Sequence, residues 1–386
     1  MTHVYFDHNA TTPLDERVLS AMLPFMKDQH GNASSRHEFG TVARKAVDDA
    51  REQVAALVGV QPVQVIFTSG GTEANNLFIK GAAGYLRPSQ IAVSAIEHPC
   101  VAKPAQELVR QGWTLRKLAV TRNGAIDLAD VDAALATPTG IVSVMLANNE
   151  TGVIQDVAAV GERARRAKAV MHTDAVQALG KIAVDFNALN VSAMTLSAHK
   201  IYGPKGAGAL VVDKRLELRP LLSGGGHERG ARSGTENVPA IVGFGAACEL
   251  AAGRMQEMGK QAQVLRVRLE SGLTGMGAVI FGAVSAGAAA TRVPNTSYFA
   301  LQGIDGEALV IELDKIGYAV AAGAACSSTS SEPSATLLAM GVAPAVARGA
   351  VRFSLGAANT AEQVDGFLTA LAVVAQRLRR LTAVAV

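Results

Sequence analysis

The sequence predicts an α/β protein with a large domain, built on a mainly parallel sheet sandwiched by helices, and a smaller α+β domain. Three observations carry that expectation. Short β-rich runs alternate with segments of helical periodicity through the first two-thirds of the chain. The rhythm fades after about Ala252, where a long helical stretch is under way. The 38 glycines, with one Trp and five Tyr, suit many tight turns.

Apolar residues at Val42, Ala43, Ala46, Val47, Ala50, Val54 and Leu57 recur with a period near 3.6, which predicts a helix over 40–58. Strands are expected at 65–68, 91–94, 141–146, 170–173, 194–196 and 209–212, with helical segments at 73–83, 101–110 and 157–167 between them. Strand, helix, strand at this spacing builds parallel βαβ units with helices on both faces. A long helix over about 239–273 then leads to a region with its own short strands and a C-terminal helix over 361–381. The large domain is placed at 15–255. The small one takes 256–386, with 1–14 folded back onto it.

Composition narrows the function. Hydrophobic residues make up 49% and charged residues 18%, ample for packed cores. A net charge of +3 is too weak and dispersed for direct nucleic acid binding. The first residues lack both a basic region and an apolar run, so no secretory signal is expected. No run of 18 uninterrupted apolar residues argues for a membrane span. Cys100, Cys248 and Cys326 are far apart, with neither metal-ligand spacing nor a paired framework. The expected compartment is the reducing cytoplasm.

In open parallel sheets ligands bind at the carboxyl ends of the strands, so the polar residues there are the candidates. After the strand at 65–68 comes Ser69-Gly70-Gly71-Thr72-Glu73, then a helix. This is either a tight turn with Thr72 as the helix cap or an anion cradle of free N–H groups that includes Gly71 and Thr72. Asp174 and Gln177 follow the strand at 170–173. Asp174 either caps the next helix or, facing a pyridine ring, keeps its nitrogen protonated. Ser197-Ala198-His199-Lys200 ends another strand. Lys200 is either a loop lysine or an amine whose desolvation makes it a Schiff-base nucleophile.

These elements, with Ala147-Asn148-Asn149-Glu150-Thr151-Gly152, His199-Lys200-Ile201-Tyr202-Gly203-Pro204, Gly224-Gly225-Gly226-His227-Glu228-Arg229-Gly230 and Asp7-His8-Asn9-Ala10-Thr11-Thr12, resemble the class V aminotransferase-like enzymes of fold type I. Within them the resemblance is to cysteine desulfurases of the NifS/IscS type, over nearly the whole chain. It implies pyridoxal 5'-phosphate as cofactor, with Lys200 as the Schiff-base lysine and Asp174 on the ring nitrogen. It further implies Gln177 and Asn149 at the phenolic oxygen, and Thr72, Ser197 and His199 at the phosphate. His98 would stack on the ring and assist proton transfer. Thr235 would reach the phosphate of the other subunit of a homodimer.

Cys326, in Gly323-Ala324-Ala325-Cys326-Ser327-Ser328, matches the family's persulfide-forming cysteine. Its Gly/Ser-rich surroundings resemble the first group of these enzymes. Arg352 matches the clamp on the substrate carboxylate, and Asn32 a second carboxylate contact. The implied reaction takes sulfur from L-cysteine, leaves L-alanine, and passes the sulfur from Cys326 to an acceptor or iron–sulfur scaffold protein. Cysteine and selenocysteine are not separated by these motifs, and a lyase or aminotransferase on the same fold is the alternative. Cys248 reads as core. For Cys100, helix packing is preferred over a place in the site. Ala324-Ala325 stands where the family usually carries Ser or Thr followed by Ala, and Ala321-Ala322 where Ser-Ser is common, which bears on rate and loop behaviour.

Overall fold

The computed structural model describes residues 3–283, 291–323 and 332–384. After β1 (Val4–Tyr5) come α1 (Glu16–Lys27) and α2 (Glu38–Leu57). The central sheet takes β2 (Val65–Thr68), β3 (Gln90–Ser94), β4 (Thr114–Leu118), β5 (Thr139–Ser143), β6 (Val170–Asp174), β7 (Ala193–Ser197) and β8 (Gly208–Val212). Their order across the sheet is β2-β8-β7-β6-β5-β3-β4. Helices α3 (Gly71–Ala83), α4 (Pro99–Leu108), α5 (Leu128–Leu135) and α6 (Val157–Arg166) connect them.

All seven strands run parallel except β8, which pairs antiparallel with both β2 and β7. The connection from β7 to β8, residues 198–207, is too short for a parallel crossover. The interior strands are almost continuously buried, as a sheet covered on both faces requires. Edge strand β4 is different. Its Arg116 and Lys117 face solvent, the usual protection of an exposed edge, and that polarity hid it from the hydrophobic pattern. The short α5, capped by Asp127, was also absent from the sequence reading.

Helix α7 (Val238–Gly275) has 38 residues and is about 57 Å long. It is long and apolar enough to cross a membrane by composition, and half of its apolar window is buried inside the protein. Val238, Ile241, Phe244, Cys248 and Ala251 pack into the core of the large sheet. Leu265, Leu269 and Leu273 pack into a second core. The boundary expected at 255 therefore falls inside one continuous helix.

The C-terminal region takes β9 (Val279–Phe281), β10 (Thr296–Ala300), α8 (Gly306–Asp314), β11 (Tyr318–Ala319), β12 (Ala321–Ala322), α9 (Ala335–Ala339), α10 (Pro344–Arg348), β13 (Ala350–Ser354) and α11 (Ala361–Val384), with Leu337 of α9 and Ala347 of α10 in a separate small cluster with Phe281 and Tyr298. The order β12-β13-β10-β9 is antiparallel throughout. Strand β1 pairs with β11, and Phe6 stacks on Phe353 with ring centroids 4.0 Å apart. The N-terminal segment thus joins the C-terminal core and carries Asp7, Asn9 and Ala10 to the mouth of the large sheet.

Candidate active site

The carboxyl ends of β2, β3, β6 and β7 meet β13 and the N-terminal segment around a cavity of about 360 Å³. That volume suits a small ligand. It is lined by Gly71, Thr72, His98, Asn149, Asp174, Gln177, Ser197, His199, Lys200 and Arg352 among others. Ten of the residues singled out in the sequence therefore converge on one space.

One wall is built to take an anion. Helix α3 starts at Gly71 after Gly70, and no side chain caps it, so its first-turn N–H groups remain open toward the cavity. Thr72 is thus not the cap. Gly208 permits the close packing of this turn, since a Cβ there would lie 2.6 Å from Gly70 Cα. Beside it the hydroxyl of Ser197 is buried without a hydrogen-bond partner. His199 shares a hydrogen bond of 3.1 Å with Thr11 through Nδ1. Burial, and the charge of Lys200, push the imidazole down to about 4, so it is neutral near pH 7.

At the centre, the carboxylate of Asp174 accepts from Asn75 Nδ2 at 2.7 Å and from the Val176 N–H at 3.0 Å. Asn75 Nδ2 also lies 3.0 Å from Cys100 Sγ, and Cys100 Sγ lies 2.8 Å from His98 Nδ1. His98 is the N-cap of α4, its Nδ1 accepting the Cys100 N–H at 3.2 Å. Burial lowers its pKa, opposed in part by Asp174 and helped by Lys200. A nitrogen facing two donors is unprotonated, so the His98 proton is assigned to Nε2. Lys200 Nζ donates to the Asn9 and Ala10 carbonyls at 2.7 and 2.6 Å.

Opposite, Arg352 is buried on β13. It donates to the Asn149 carbonyl at 3.1 Å and to Asp7 at 2.7 Å, while its Nε has no partner among the described residues. Asn32 is exposed and does not line this cavity; its side chain accepts the N–H of Ser34. Thr235 is also exposed and outside the lining. Cys326 lies outside the described residues.

The cavity adds residues that the sequence reading passed over. Asn75 lies three positions after Thr72 on α3, a spacing that places both on one helix face, and this signal was available. Cys100, for which helix packing was preferred, lines the cavity. Its signal was its place two residues after His98. Cys248 is buried in the large core, as expected.

Residues 4–367 match the family described as Aminotransferase class-V. The chain belongs to that family. It is 41% identical to the Cysteine desulfurase 2 of Trichormus variabilis, over 99% of this chain and 95% of that protein. It is 44% identical to the Cysteine desulfurase IscS of Colwellia psychrerythraea, over 94% and 90%. Among solved structures, a NifS-like protein superposes with a TM-score of 0.91 at 37% identity, covering 98% of this chain and all of that one. The family's members depend on pyridoxal phosphate, and the donor set here fits it. An uncapped helix terminus and an unpartnered serine hydroxyl suit a phosphate, a buried carboxylate suits a pyridinium, and an amine suits an aldehyde.

Proposed function

We propose that this chain takes sulfur from L-cysteine, releases L-alanine, and holds the sulfur as a persulfide on Cys326. The observation that carries this reading is the convergence of Lys200, Asp174, His98 and Arg352 on one cavity beside an uncapped helix terminus. Bound pyridoxal phosphate supplies an electron sink for the substrate α-carbon. Gly71, Thr72, Ser197 and His199 hold its phosphate, Asp174 its ring nitrogen, and Gln177 and Asn149 its phenolic oxygen.

Arg352 grips the substrate carboxylate with its planar fork. Lys200 takes the α-proton. The thiolate of Cys326 attacks the substrate sulfur, because the thiolate is the nucleophilic form. A sulfur–sulfur bond forms and the carbon–sulfur bond breaks. The carbon keeps that electron pair and takes protons to become alanine, so no external oxidant or reductant is needed. His98, neutral with its proton on Nε2, can hand over or receive one of those protons.

Thr235 is exposed, and we assign it to the phosphate of the other subunit in a homodimer. The sulfur goes on to an acceptor or iron–sulfur scaffold protein, in a cytoplasmic setting that keeps thiols reduced. Residues 15–255 form the cofactor unit; 1–14 and 256–386 form the unit carrying Cys326. A structure at 31% identity and a TM-score of 0.79, titled SspA in complex with cysteine, was solved with that amino acid.

The test is an absorption spectrum of the protein with its cofactor before and after L-cysteine, with alanine and sulfide assayed together. A visible band that shifts while both products appear supports the reading. A band without alanine redirects it to another amino acid. Cys326→Ala should keep the band and lose persulfide transfer; normal alanine release by that variant would sink the assignment of Cys326.

A further inference from the structure

Lys181 is half-buried near Lys200, on the turn that follows β6. Its ammonium donates to Gln177 Oε1 at 2.6 Å and to Asn9 Oδ1 at 2.8 Å. Both acceptors are neutral amide oxygens, and among the described residues no carboxylate pairs with it. A buried amine without a counter-ion is an expensive arrangement. Burial, together with the nearby charges of Lys200 and Arg352, works against its charged form.

What the contacts accomplish is orientation. A primary amide can be turned end for end, with its oxygen and nitrogen exchanged, at little cost unless a neighbour decides the matter. An ammonium carries only donors. Facing Lys181, Gln177 must therefore present its oxygen, which turns its Nε2 to the other side. There Nε2 donates to the Asn9 carbonyl at 2.9 Å and has a second hydrogen left. The same ammonium, together with Asn295 Nδ2 at 3.2 Å, holds Asn9 by its oxygen. Asn9 Nδ2 is thereby directed to the Asn149 carbonyl at 3.2 Å and to Thr296 Oγ1 at 2.9 Å. The Asn9 main-chain carbonyl in turn receives Lys200 Nζ at 2.7 Å. Every arm of this network ends on a residue that lines the cavity or supports one that does.

We propose that Lys181 is a positioning residue that fixes the polarity of Gln177 and Asn9, so that Gln177 offers an N–H to the cofactor's phenolic oxygen. Lys181 touches neither cofactor nor substrate in this role and acts through the two amides. The inference rests on the reading of the cavity as a pyridoxal phosphate site. It goes further by assigning a task to a buried charge on the far side of Gln177. In its absence the Asn9 carbonyl alone selects the Nε2 end of Gln177, and the amide is held less firmly with its N–H toward the cofactor.

The experiment measures retention of pyridoxal phosphate, by equilibrium dialysis followed by the absorption spectrum, in the wild type, Lys181→Met, Gln177→Met and the double variant. Lys181→Met is expected to weaken retention about 10-fold, the worth of one hydrogen bond to a charged acceptor. It should also displace the absorption maximum of the bound cofactor. Gln177→Met should do the same, and adding Lys181→Met to it should cost no more, because coupled residues are not additive. Equal, additive losses would leave Lys181 a merely structural residue and overturn the proposal, as would wild-type retention in Lys181→Met.

Should Lys181→Met fail to fold, Gln177→Glu asks the same question from the other side. Its carboxylate pairs with Lys181 yet has no N–H for the cavity. It also loses the Nε2 bond to the Asn9 carbonyl, and it should show the weakened retention; full retention would overturn the proposal. Failure of the wild type itself to bind pyridoxal phosphate would instead remove the reading of the cavity on which the inference stands.

Discussion

Arg352 Nη2 donates to Asp7 Oδ1 at 2.7 Å, tying the strand that carries the guanidinium to the N-terminal segment just after β1. The arginine is buried and already shares its charge with one carboxylate, while its Nε has no partner among the described residues. Its position at the cavity wall leaves that unsatisfied edge as the natural place for a second acceptor.

Arg352→Lys keeps a charge and loses the planar fork, so KM for L-cysteine should rise about 10-fold or more with a smaller change in kcat. Arg352→Ala should raise it further, on the order of 10²-fold, and also destabilise the fold by about 3 kcal/mol by leaving Asp7 unpaired. Asp7→Asn separates the two effects. It weakens the tie between the cores but should leave KM no higher than in the wild type. Steady-state kinetics and melting curves of the three variants check this.

Ser197 gives a prediction whose sign depends on the cofactor. Its hydroxyl is buried and unpartnered, and an unpaired buried hydroxyl costs about 1–3 kcal/mol. Without cofactor, Ser197→Ala should therefore melt at or above the wild-type temperature. With pyridoxal phosphate the order should reverse, because the lost hydroxyl no longer meets the phosphate, and the dissociation constant should rise about 10-fold. Melting curves with and without cofactor suffice. A variant less stable in both states would mean that the hydroxyl has another partner.

Most of the large sheet was readable from the chain because its strands are buried on both faces and so are uniformly apolar. Strand β4 was not, because Arg116 and Lys117 break its pattern at the edge. The reversed direction of β8 follows from the short connection after β7, a matter of distance that hydrophobicity does not record. Lys200, Asp174 and Ser197 stood out because each ends an apolar strand, where polar residues have reason to be. Asn75 and Cys100 carried only the weaker signals of their spacing from Thr72 and His98, and Lys181 carried none, since its meaning lies in partners that only the folded chain brings near. Asn32, placed by resemblance alone, is exposed and lies outside the cavity.

Glu97 precedes His98 and is half-buried, with its carboxylate turned inward. Its Oε1 accepts from Ser94 Oγ at 2.7 Å and from the Met145 N–H at 2.6 Å, while Oε2 has no partner. Burial raises the carboxyl to about 8, with the charge of Asp174 adding to the shift. The folded state therefore binds a proton between about pH 4.5 and 8 that the unfolded chain releases. The contribution is fully present below the unfolded pKa and is lost as pH rises through the folded one. Glu97→Gln is neutral and nearly isosteric, so it escapes that loss. Without cofactor, the stability of the variant relative to the wild type should grow by about 1 kcal/mol per pH unit from pH 5 to 8, then level off. Melting temperatures at pH 5, 6.5 and 8 measure it. A pH-independent difference would show that Glu97 is ionised in the folded protein.

The three cysteines should separate under alkylation. Cys248 is fully buried and its thiol is pushed far up by burial. Cys100 lines the cavity, yet burial and the neighbouring Asp174 push its thiol up to about 12. At pH 8 the thiolate fraction of Cys100 is then about 10³-fold below that of an ordinary thiol, and iodoacetamide reacts only with the thiolate. Brief labelling at pH 8 followed by mass spectrometry should therefore mark Cys326 and spare Cys100 and Cys248. All three should label in denaturant. Prior treatment with L-cysteine should add the mass of one sulfur atom to the peptide containing Cys326, and to neither of the others. A sulfur atom found on Cys100 would make the thiol beside His98 an acceptor in its own right and overturn the reading of Cys100 as a donor to His98 Nδ1. Cys100→Ser tests that assignment directly, since a hydroxyl can still donate to His98 Nδ1 and should preserve the rate of alanine formation better than Cys100→Ala.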